Sequence, residues 1–533
     1  MTERRYLIAA VIISIAAALI YGGYYWSLRP AAVNSDMWVF NTPDEMANYF
    51  FSERLATDQQ LGVPEPLDSP EVRNIIHPRS VTVADGHLAP GSFLGFILVV
   101  GTVAQLAGAW IIPWFVPMLS GCALLCYFLL IRKHFDSRLA LGSTILLATL
   151  PAFWYYSSRS LFNNVLFVDL IIIGLWQLQR GIDRQLLMPT ALGSIFIGLA
   201  LTVRTGDALW VVALVAVFLV MQKAQIKLGH YVLLVGGIIV SFIPILQEQA
   251  ALFGSPFITG YVPEGLTSAV GGERSTVSQF LNIAQQFISP FGFHPLSIIH
   301  TLYHYGLKMF WWLIVPAVLA FLFAGYQWYR GTLVPKFQGY LVATAAISIF
   351  ISSYYGSWYF HNNVSGLALI GSSQVRYFLP VYILLIPIIV WGVLELLKKF
   401  PHKQTQMLIA SLLVIAWVGL SSWSVLWRGP ESLMAVAATV ADYQRINREV
   451  RQQTPDDAVI ITAYNDKVFF PKRRVITYWQ DDNYLEPLRK IISQAPVYLY
   501  AIKPAEISYL RDKGFEVNLV ATTTPTEALY QVK

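Results

Sequence analysis

The chain has 533 residues, of which 56% are hydrophobic and only 13% charged, and it carries a formal net charge of +6. A soluble protein carries about 25% charged residues, so the composition excludes an ordinary water-soluble enzyme. The positive balance does not call for nucleic acid, because most Lys and Arg fall in short connectors between apolar segments, where they set membrane topology.

Apolar segments of membrane-spanning length recur along the chain. The first, at about 6–26, follows Arg4-Arg5 and ends in Tyr24-Tyr25-Trp26. No small-residue cleavage site follows it, so it reads as an uncleaved span with a cytoplasmic N-terminus. A long polar loop comes next, at about 27–112. Ten more spans are predicted, at about 113–131, 139–156, 161–179, 188–203, 208–222, 229–247, 306–328, 338–354, 377–397 and 406–425. With eleven spans, the basic clusters Arg132-Lys133, Arg180 and Arg184, Lys223 and Lys227, Arg330 and Lys336, and Lys398-Lys399 all fall in the cytoplasm. The segment 91–110 is also apolar but carries Gly91, Gly95, Gly101 and Gly108. Counting it as a span would put Arg132-Lys133 outside, so it is expected to lie flat or re-entrant at the outer face.

A second long outer loop, 248–304, carries Glu248, Glu264, Glu273, Arg274 and His294. An odd number of spans places residues 429–533 outside as well. Their pattern predicts a helix at 431–451, strands at 459–462, 475–478, 497–502 and 517–520, and helices at 484–493 and 505–512. The fold class is therefore a polytopic α-helical membrane protein with about 11 transmembrane helices. A membrane module (1–428) is followed by a small extracytoplasmic α/β domain (429–533). Cys122 and Cys126, the only cysteines, are four apart on one apolar helix and are expected to be buried packing residues.

Thr42-Pro43-Asp44-Glu45 opens the first loop. Thr42 as N-cap, proline in the first turn and Glu45 three residues on would form a capping box. The same helix start would also mount Asp44 rigidly, where the helix dipole favours the ionised carboxylate that a general base needs. Three outer connectors without lysine carry an isolated arginine: Arg159, Arg204 and Arg376. Arginine on the side disfavoured for positive charge points to a specific anion, and its fork matches phosphate. The competing reading is snorkelling to headgroups, or for Arg204 an ion pair with Asp207. Asp169 lies inside a span, where a carboxylate is costly. It is either functional or bonded to a neighbouring helix. Asn163 and Asn164 mark the outer end of that span. His77 and His87 flank the 91–110 segment and read as surface or substrate contacts.

These pieces, in this order, resemble the GT-C superfamily of membrane glycosyltransferases, and within it the protein O-mannosyltransferase and aminoarabinose transferase branch. Pro43-Asp44-Glu45-Met46-Ala47-Asn48-Tyr49 is similar to the early Asp-Glu pair of that branch. His87-Leu88-Ala89-Pro90-Gly91 looks like a diverged His/Pro-Pro-Gly segment. Tyr156-Ser157-Ser158-Arg159 and Arg376-Tyr377-Phe378-Leu379-Pro380 match two further motifs. The likeness covers about residues 1–400. Asn163 and Asn164 stand where many relatives carry a second acid, and Asp169 falls too late to replace it.

The resemblance implies transfer of a sugar from a polyprenyl-phosphate donor to an extracytoplasmic hydroxyl of a lipid, glycan or protein acceptor. Asp44 would act as base with Glu45 assisting, while Arg204, Arg376 and Arg159 would bind the donor phosphate. His87, Asn163, Asn164 and Tyr377 would contact substrate. No metal ligand is assigned, and a divalent cation is left open as a cofactor. Two other readings are a transporter or flippase of a lipid-linked saccharide and a non-catalytic scaffold in envelope assembly. The absence of an internal repeat speaks against the first. The short loops point to the cytoplasmic membrane of a prokaryote.

Overall fold

The structure, a computed structural model, describes residues 2–27, 38–72, 74–222, 225–260, 291–358, 368–477 and 481–533. Glu264, Glu273 and Arg274 of the second loop lie outside the described residues. Every predicted span is helical. Helix α1 covers Glu3–Ser27, α2 Pro43–Asp58, α3 Gly95–Ala107 and α4 Ile112–His134. Then follow α5 (Ser137–Ala148), α6 (Pro151–Ser158), α7 (Asn163–Arg184), α8 (Leu187–Val203), α9 (Ala208–Gln222) and α10 (Leu228–Phe253). Four later membrane helices are Trp311–Tyr329, Pro335–Gly356, Leu379–Leu397 and Lys403–Leu426. Among the described residues, eight helices are long and apolar enough to cross a membrane, or ten if each of two bent pairs counts as one span. The protein is thus a multi-pass membrane protein.

The two bent pairs account for the difference from eleven. Helices α5 and α6 meet at 54°, where Pro151 cannot continue the hydrogen-bond ladder of α5. Helix α8 and the segment Thr205–Val220 meet at 113°. The polar run Arg204-Thr205-Gly206-Asp207 breaks them apart. With 17 and 15 residues, α8 and α9 are each shorter than the ~20 residues a single crossing takes. At 13 residues, α3 reaches only about 20 Å, so it cannot cross the hydrocarbon core alone. Cys122 departs from expectation: it is exposed on its helix, and Cys126 is half-buried. Both are free thiols on an apolar face rather than core packing.

The chain forms two compact units. The first comprises Met1–Tyr25, Pro113–Phe242 and Ser268–Ala435, and the second Trp26–Ile112, Ile243–Thr267 and Val436–Lys533. In the first, α7 and α8 pack backbone to backbone: a Cβ on Gly193 would stand 2.7 Å from the carbonyl oxygen of Gly174. Small residues permit that approach where apolar burial alone gives helices no reason to associate.

The second unit joins the first loop to the C-terminal segment. Strands β1 (Val63–Pro64), β2 (Val81–Ala84) and β3 (His87–Pro90) form a small antiparallel sheet in the order β1-β3-β2. The C-terminal sheet has the order β5-β4-β6-β8-β7, with β4 (Val459–Ile461), β5 (Arg474–Ile476), β6 (Val497–Ala501), β7 (Val517–Thr522) and β8 (Ala528–Val532). Strand β4 is parallel to β5 and β6, whereas β8 is antiparallel to β6 and β7. Strand β8 was not expected from sequence. Val72, Ile75 and Ile76 of the loop share one buried core with Val459, Ile461, Val497 and Leu499. The loop, grouped above with the membrane module, is therefore built into the hydrophobic core of the C-terminal domain.

Candidate functional site

In the first unit the three connector arginines come together through aromatic rings. Arg204 caps the C-terminus of α8. Arg376 lies in a one-turn helix, Ser373–Tyr377, immediately before Leu379–Leu397. Arg159 caps α6 and is 1% exposed. The Arg204 guanidinium carbon lies 4.8 Å from the centre of the Tyr377 ring, and that of Arg376 5.5 Å from the same ring. Arg376 is also 4.9 Å from the Phe162 ring, with Arg159 5.1 Å from it. Guanidinium and ring alternate in the order Arg204, Tyr377, Arg376, Phe162, Arg159. Each contact is worth about 0.5–2 kcal/mol, depending on how dry it is.

Each arginine is also held by hydrogen bonds. Arg159 donates to the Tyr155 hydroxyl at 2.7 Å, and Arg376 donates to Ser373 Oγ at 3.0 Å. Asn164, in the first turn of α7, donates to the Arg376 carbonyl at 3.3 Å. The Tyr156 hydroxyl donates to the Ser372 carbonyl at 2.8 Å and so pins the strand of chain ahead of Arg376. Asn163 opens α7 and is partly exposed. The alternative foreseen for Arg204 is realised: its Nε pairs with Asp207 Oδ2. Asp207 Oδ1 accepts from the Tyr355 hydroxyl at 2.9 Å and Trp210 Nε1 at 2.7 Å. Arg204 Nη2 donates to Tyr355 at 2.9 Å, and Tyr355 stacks on Tyr377 at 4.6 Å. The pair fixes the guanidinium but does not enclose all five of its N–H donors.

One residue of this cluster escaped sequence reasoning. The Glu431 carboxylate faces Arg159 and Arg376; burial pushes its carboxyl above the usual range, and Arg159, a hydrogen bond from the Gly371 backbone and Arg376 pull it back down. In sequence, Glu431 looks like the first residue of a soluble helix. The available signal was its place directly after the last span, on the side where the isolated arginines were expected. Asp169 is completely buried and accepts from Ser120 at 2.6 Å, which is the helix-to-helix bond foreseen as one of its two readings. Its other oxygen has no hydrogen-bond partner among the described residues.

The second unit holds Asp44, Glu45 and His87. The capping box forms as expected: Glu45 N donates to Thr42 Oγ1 at 3.3 Å, and Thr42 N donates to Glu45 Oε2 at 3.2 Å. The Glu45 carboxylate is thereby turned back on its own helix end. Ser80 Oγ donates to Asp44 Oδ1 at 2.7 Å. Ser80 sits in the left-handed region (φ 62°), and its carbonyl accepts from Gly91 N at 3.0 Å. A Cβ on Gly91 would stand 2.8 Å from the Ser80 carbonyl carbon, so only glycine fits there. The neighbouring Arg79 is clamped by Asp466, at 2.6 Å from Nη2 and 3.1 Å from Nε. His87 is exposed at the start of β3, with Nδ1 2.9 Å from the Asp85 carbonyl.

No protein-family model matches the chain, nor does any curated protein sequence. Among solved structures, the chain is similar to the oligosaccharyltransferase of Archaeoglobus fulgidus in complex with zinc and sulfate. The identity is 11%, the alignment covers 92% of this chain and 68% of that one, and the TM-score is 0.55. The same protein tethered by a disulfide to an acceptor peptide containing the NVT sequon gives 12% identity, 98% and 74% coverage and a TM-score of 0.53. ArnT from Cupriavidus metallidurans bound to undecaprenyl phosphate gives 12% identity, 98% and 97% coverage and a TM-score of 0.49. The likeness shows the fold: the chain shares the membrane architecture of that oligosaccharyltransferase.

Proposed function

We propose that this chain is an integral-membrane glycosyltransferase that moves a sugar from a polyprenyl-phosphate donor to an extracytoplasmic acceptor hydroxyl, with inversion. The observation that carries this reading is the alternation of Arg204, Arg376 and Arg159 with the Tyr377 and Phe162 rings. Guanidinium groups gathered in one part-buried place suit a phosphate whose negative charge grows as it leaves. Within this reading, Asp44 takes the proton from the acceptor hydroxyl. The oxygen attacks the anomeric carbon, the bond from that carbon to the lipid phosphate breaks, and polyprenyl phosphate departs. Arg204 and Arg376 bind the leaving phosphate, and Arg159 adds its charge to theirs. Glu45 fixes the helix start that carries Asp44. Tyr377, Asn163, Asn164 and His87 are assigned to substrate contact or to holding those that make it.

A divalent cation does not fit the described carboxylates. Ca²⁺ or Mg²⁺ takes about six or more oxygen ligands, and Zn²⁺ about four ligands from His, Cys or carboxylates. Glu45 is committed to Thr42, and no three His, Cys, Asp or Glu side chains cluster among the described residues. No step is routed through a metal. The sidedness follows the basic clusters: N-terminus cytoplasmic and C-terminal domain extracytoplasmic, in the cytoplasmic membrane; this parity takes α8 and α9 as two crossings, their short length met by local thinning of the bilayer. The test is Asp44→Asn in purified membranes with labelled lipid-linked sugar. Transfer is expected to fall at least a hundredfold, and undiminished transfer would falsify the assigned base. Movement of the labelled lipid across vesicles with no new glycosidic bond would instead identify a transporter.

A further inference from the structure

The run His300-Thr301-Leu302-Tyr303-His304 sets two imidazoles four residues apart, the spacing that puts both on one face of a helix. His300 lies in the helix Pro295–Thr301, and His304 in the π-helical turn Leu302–Lys308 that continues it. Such turns are rare and frequently mark functional sites. The two rings lie with their centres 4.2 Å apart and their planes at 36°. His300 is exposed and His304 half-buried. Neither ring has a hydrogen-bond or ion-pair partner among the described residues.

We infer that this pair is a binding site for a divalent late transition metal, separate from the arginine cluster. Two nitrogens held about 2.0–2.1 Å from one zinc place their ring centres about 4.5–5 Å apart. That is slightly wider than the rings stand, so small side-chain rotations complete the chelate. Imidazole suits zinc, copper and nickel, whereas Mg²⁺ and Ca²⁺ take oxygen. Thr301 stands where the metalloprotease pattern His-Glu-x-x-His has its general base. The site therefore holds a metal without a hydrolytic base, and water completes the coordination shell.

The backbone beneath the pair is already fixed. Ser297 Oγ donates to the Gly356 carbonyl at 2.8 Å, and His294 N donates to Ser357 Oγ at 3.2 Å. The Tyr382 hydroxyl donates to the Tyr305 carbonyl at 2.9 Å. The helix before the junction and the turn after it are thus each tied to a neighbouring membrane helix. Binding then costs chiefly the freedom of two imidazole rings. Lys308, one turn beyond, faces His304 and is exposed. Its charge opposes a cation, and two protein ligands hold a metal less tightly than three or four, so the site is one of moderate affinity.

The experiment uses the purified full chain in detergent, produced without a histidine tag and titrated calorimetrically with Cu²⁺, Ni²⁺, Zn²⁺ and Mg²⁺. One ion per chain is expected, in the micromolar range for zinc, with Cu²⁺ bound most tightly and no saturable uptake of Mg²⁺. His300→Ala and His304→Ala are each expected to weaken Zn²⁺ at least tenfold, and the double variant no further, because one imidazole alone makes no chelate. Lys308→Gln is expected to tighten Zn²⁺ about threefold. Bound Cu²⁺ gives a second reading: its electron paramagnetic resonance spectrum should show two nitrogen ligands in the wild type and fewer in either single variant. The inference is overturned if a single histidine variant binds Zn²⁺ as the wild type does, if Mg²⁺ displaces Zn²⁺ at equal concentration, or if no ion saturates. Binding is read without turnover, so this site and the glycosyl-transfer reading fail separately. Zinc bound through both histidines in an inactive chain sinks only the enzyme; transfer by a chain that binds no metal here sinks only this site.

Discussion

Arg159 and Arg376 lie over one aromatic ring, their guanidinium carbons 5.1 and 4.9 Å from the centre of Phe162. Two like charges drawn to one ring need a counter-charge, and Glu431 supplies one. A donor phosphate would compete with that carboxylate for the same arginines. Glu431→Gln is therefore expected to tighten binding of polyprenyl phosphate about three- to tenfold, the weight of a charge pair of order 1 kcal/mol. The gain depends on pH. Burial keeps the Glu431 carboxyl above the usual range, so acidification neutralises it readily and the wild type comes to resemble the variant. The two should converge at low pH and separate as pH rises. Fluorescence titration of the lipid phosphate at several pH values reads this, and a difference independent of pH would refute it.

Arg376 is the arginine shared by both rings of the ladder. Arg376→Ala is expected to raise the KM for donor at least tenfold. Arg376→Lys should recover little of that, because an ammonium carries charge but neither the planar face nor the fork. Steady-state transfer rates against donor concentration distinguish the two variants. Full rescue by lysine would mean that only net charge matters at this position.

Much of this arrangement was legible in the sequence, because it depends on local rules. Spans show as run lengths, and the start of α2 shows as Thr42-Pro43-Asp44-Glu45, whose cap needs only adjacent residues. The arginines stood out by sidedness, which the chain order carries. What stayed hidden is long-range. Arg79 and Asp466 are 387 positions apart, and Val72 shares a core with Leu499; no periodicity announces either. Strand β8 is short and follows a Thr- and Pro-rich turn, so it reads as a tail until pairing with β6 and β7 gives it a place. The angle between α8 and α9 does not show in the sequence, because two apolar runs separated by four polar residues look the same whatever the turn between them.

Asp207 serves structure as much as it restrains Arg204. Its carboxylate takes Arg204, Tyr355 and Trp210 together, and both charged side chains are largely buried, at 13% and 4% exposure. Asp207→Ala would leave a buried cation unpaired and is expected to cost about 3–5 kcal/mol, read as a lower Tm. The double variant Arg204→Met, Asp207→Leu should lose less stability than Asp207→Ala alone, because no buried charge is stranded. It should still lose donor binding. If the double variant binds polyprenyl phosphate normally, Arg204 belongs to the scaffold and not to the phosphate site.

Ser80 holds Asp44, and Asp466 holds the loop that bears Ser80. Ser80→Ala removes one neutral-to-charged hydrogen bond, so kcat for transfer should fall about three- to tenfold with little change in Tm. Asp466 is completely buried against Arg79. Asp466→Ala strands that arginine and should cost both stability, by about 3–5 kcal/mol, and transfer rate. Equal Tm losses in the two variants would show that Ser80 acts on packing and not on the carboxylate.

Lys467 gives the C-terminal domain a pH dependence of unusual sign. Its amine is 6% exposed, donates to the Tyr464 carbonyl at 2.6 Å and lies 4.9 Å from the Tyr443 ring. Burial pushes its pKa down to about 8 from an ordinary 10.5. Below pH 8 both folded and unfolded chains hold the proton, and the folded state bears the whole desolvation cost, on the order of 3 kcal/mol. Between pH 8 and 10.5 the folded chain releases the proton while the unfolded chain keeps it. The unfolded state then binds more protons, so this residue makes stability rise with pH across that window. Lys467→Met should raise Tm at pH 7, and its advantage over the wild type should shrink toward pH 10. Thermal melts of both proteins at the two pH values check this, since the difference between them cancels every other titrating group. An advantage that is constant, or that grows with pH, would mean that the ammonium is already stabilised where it lies.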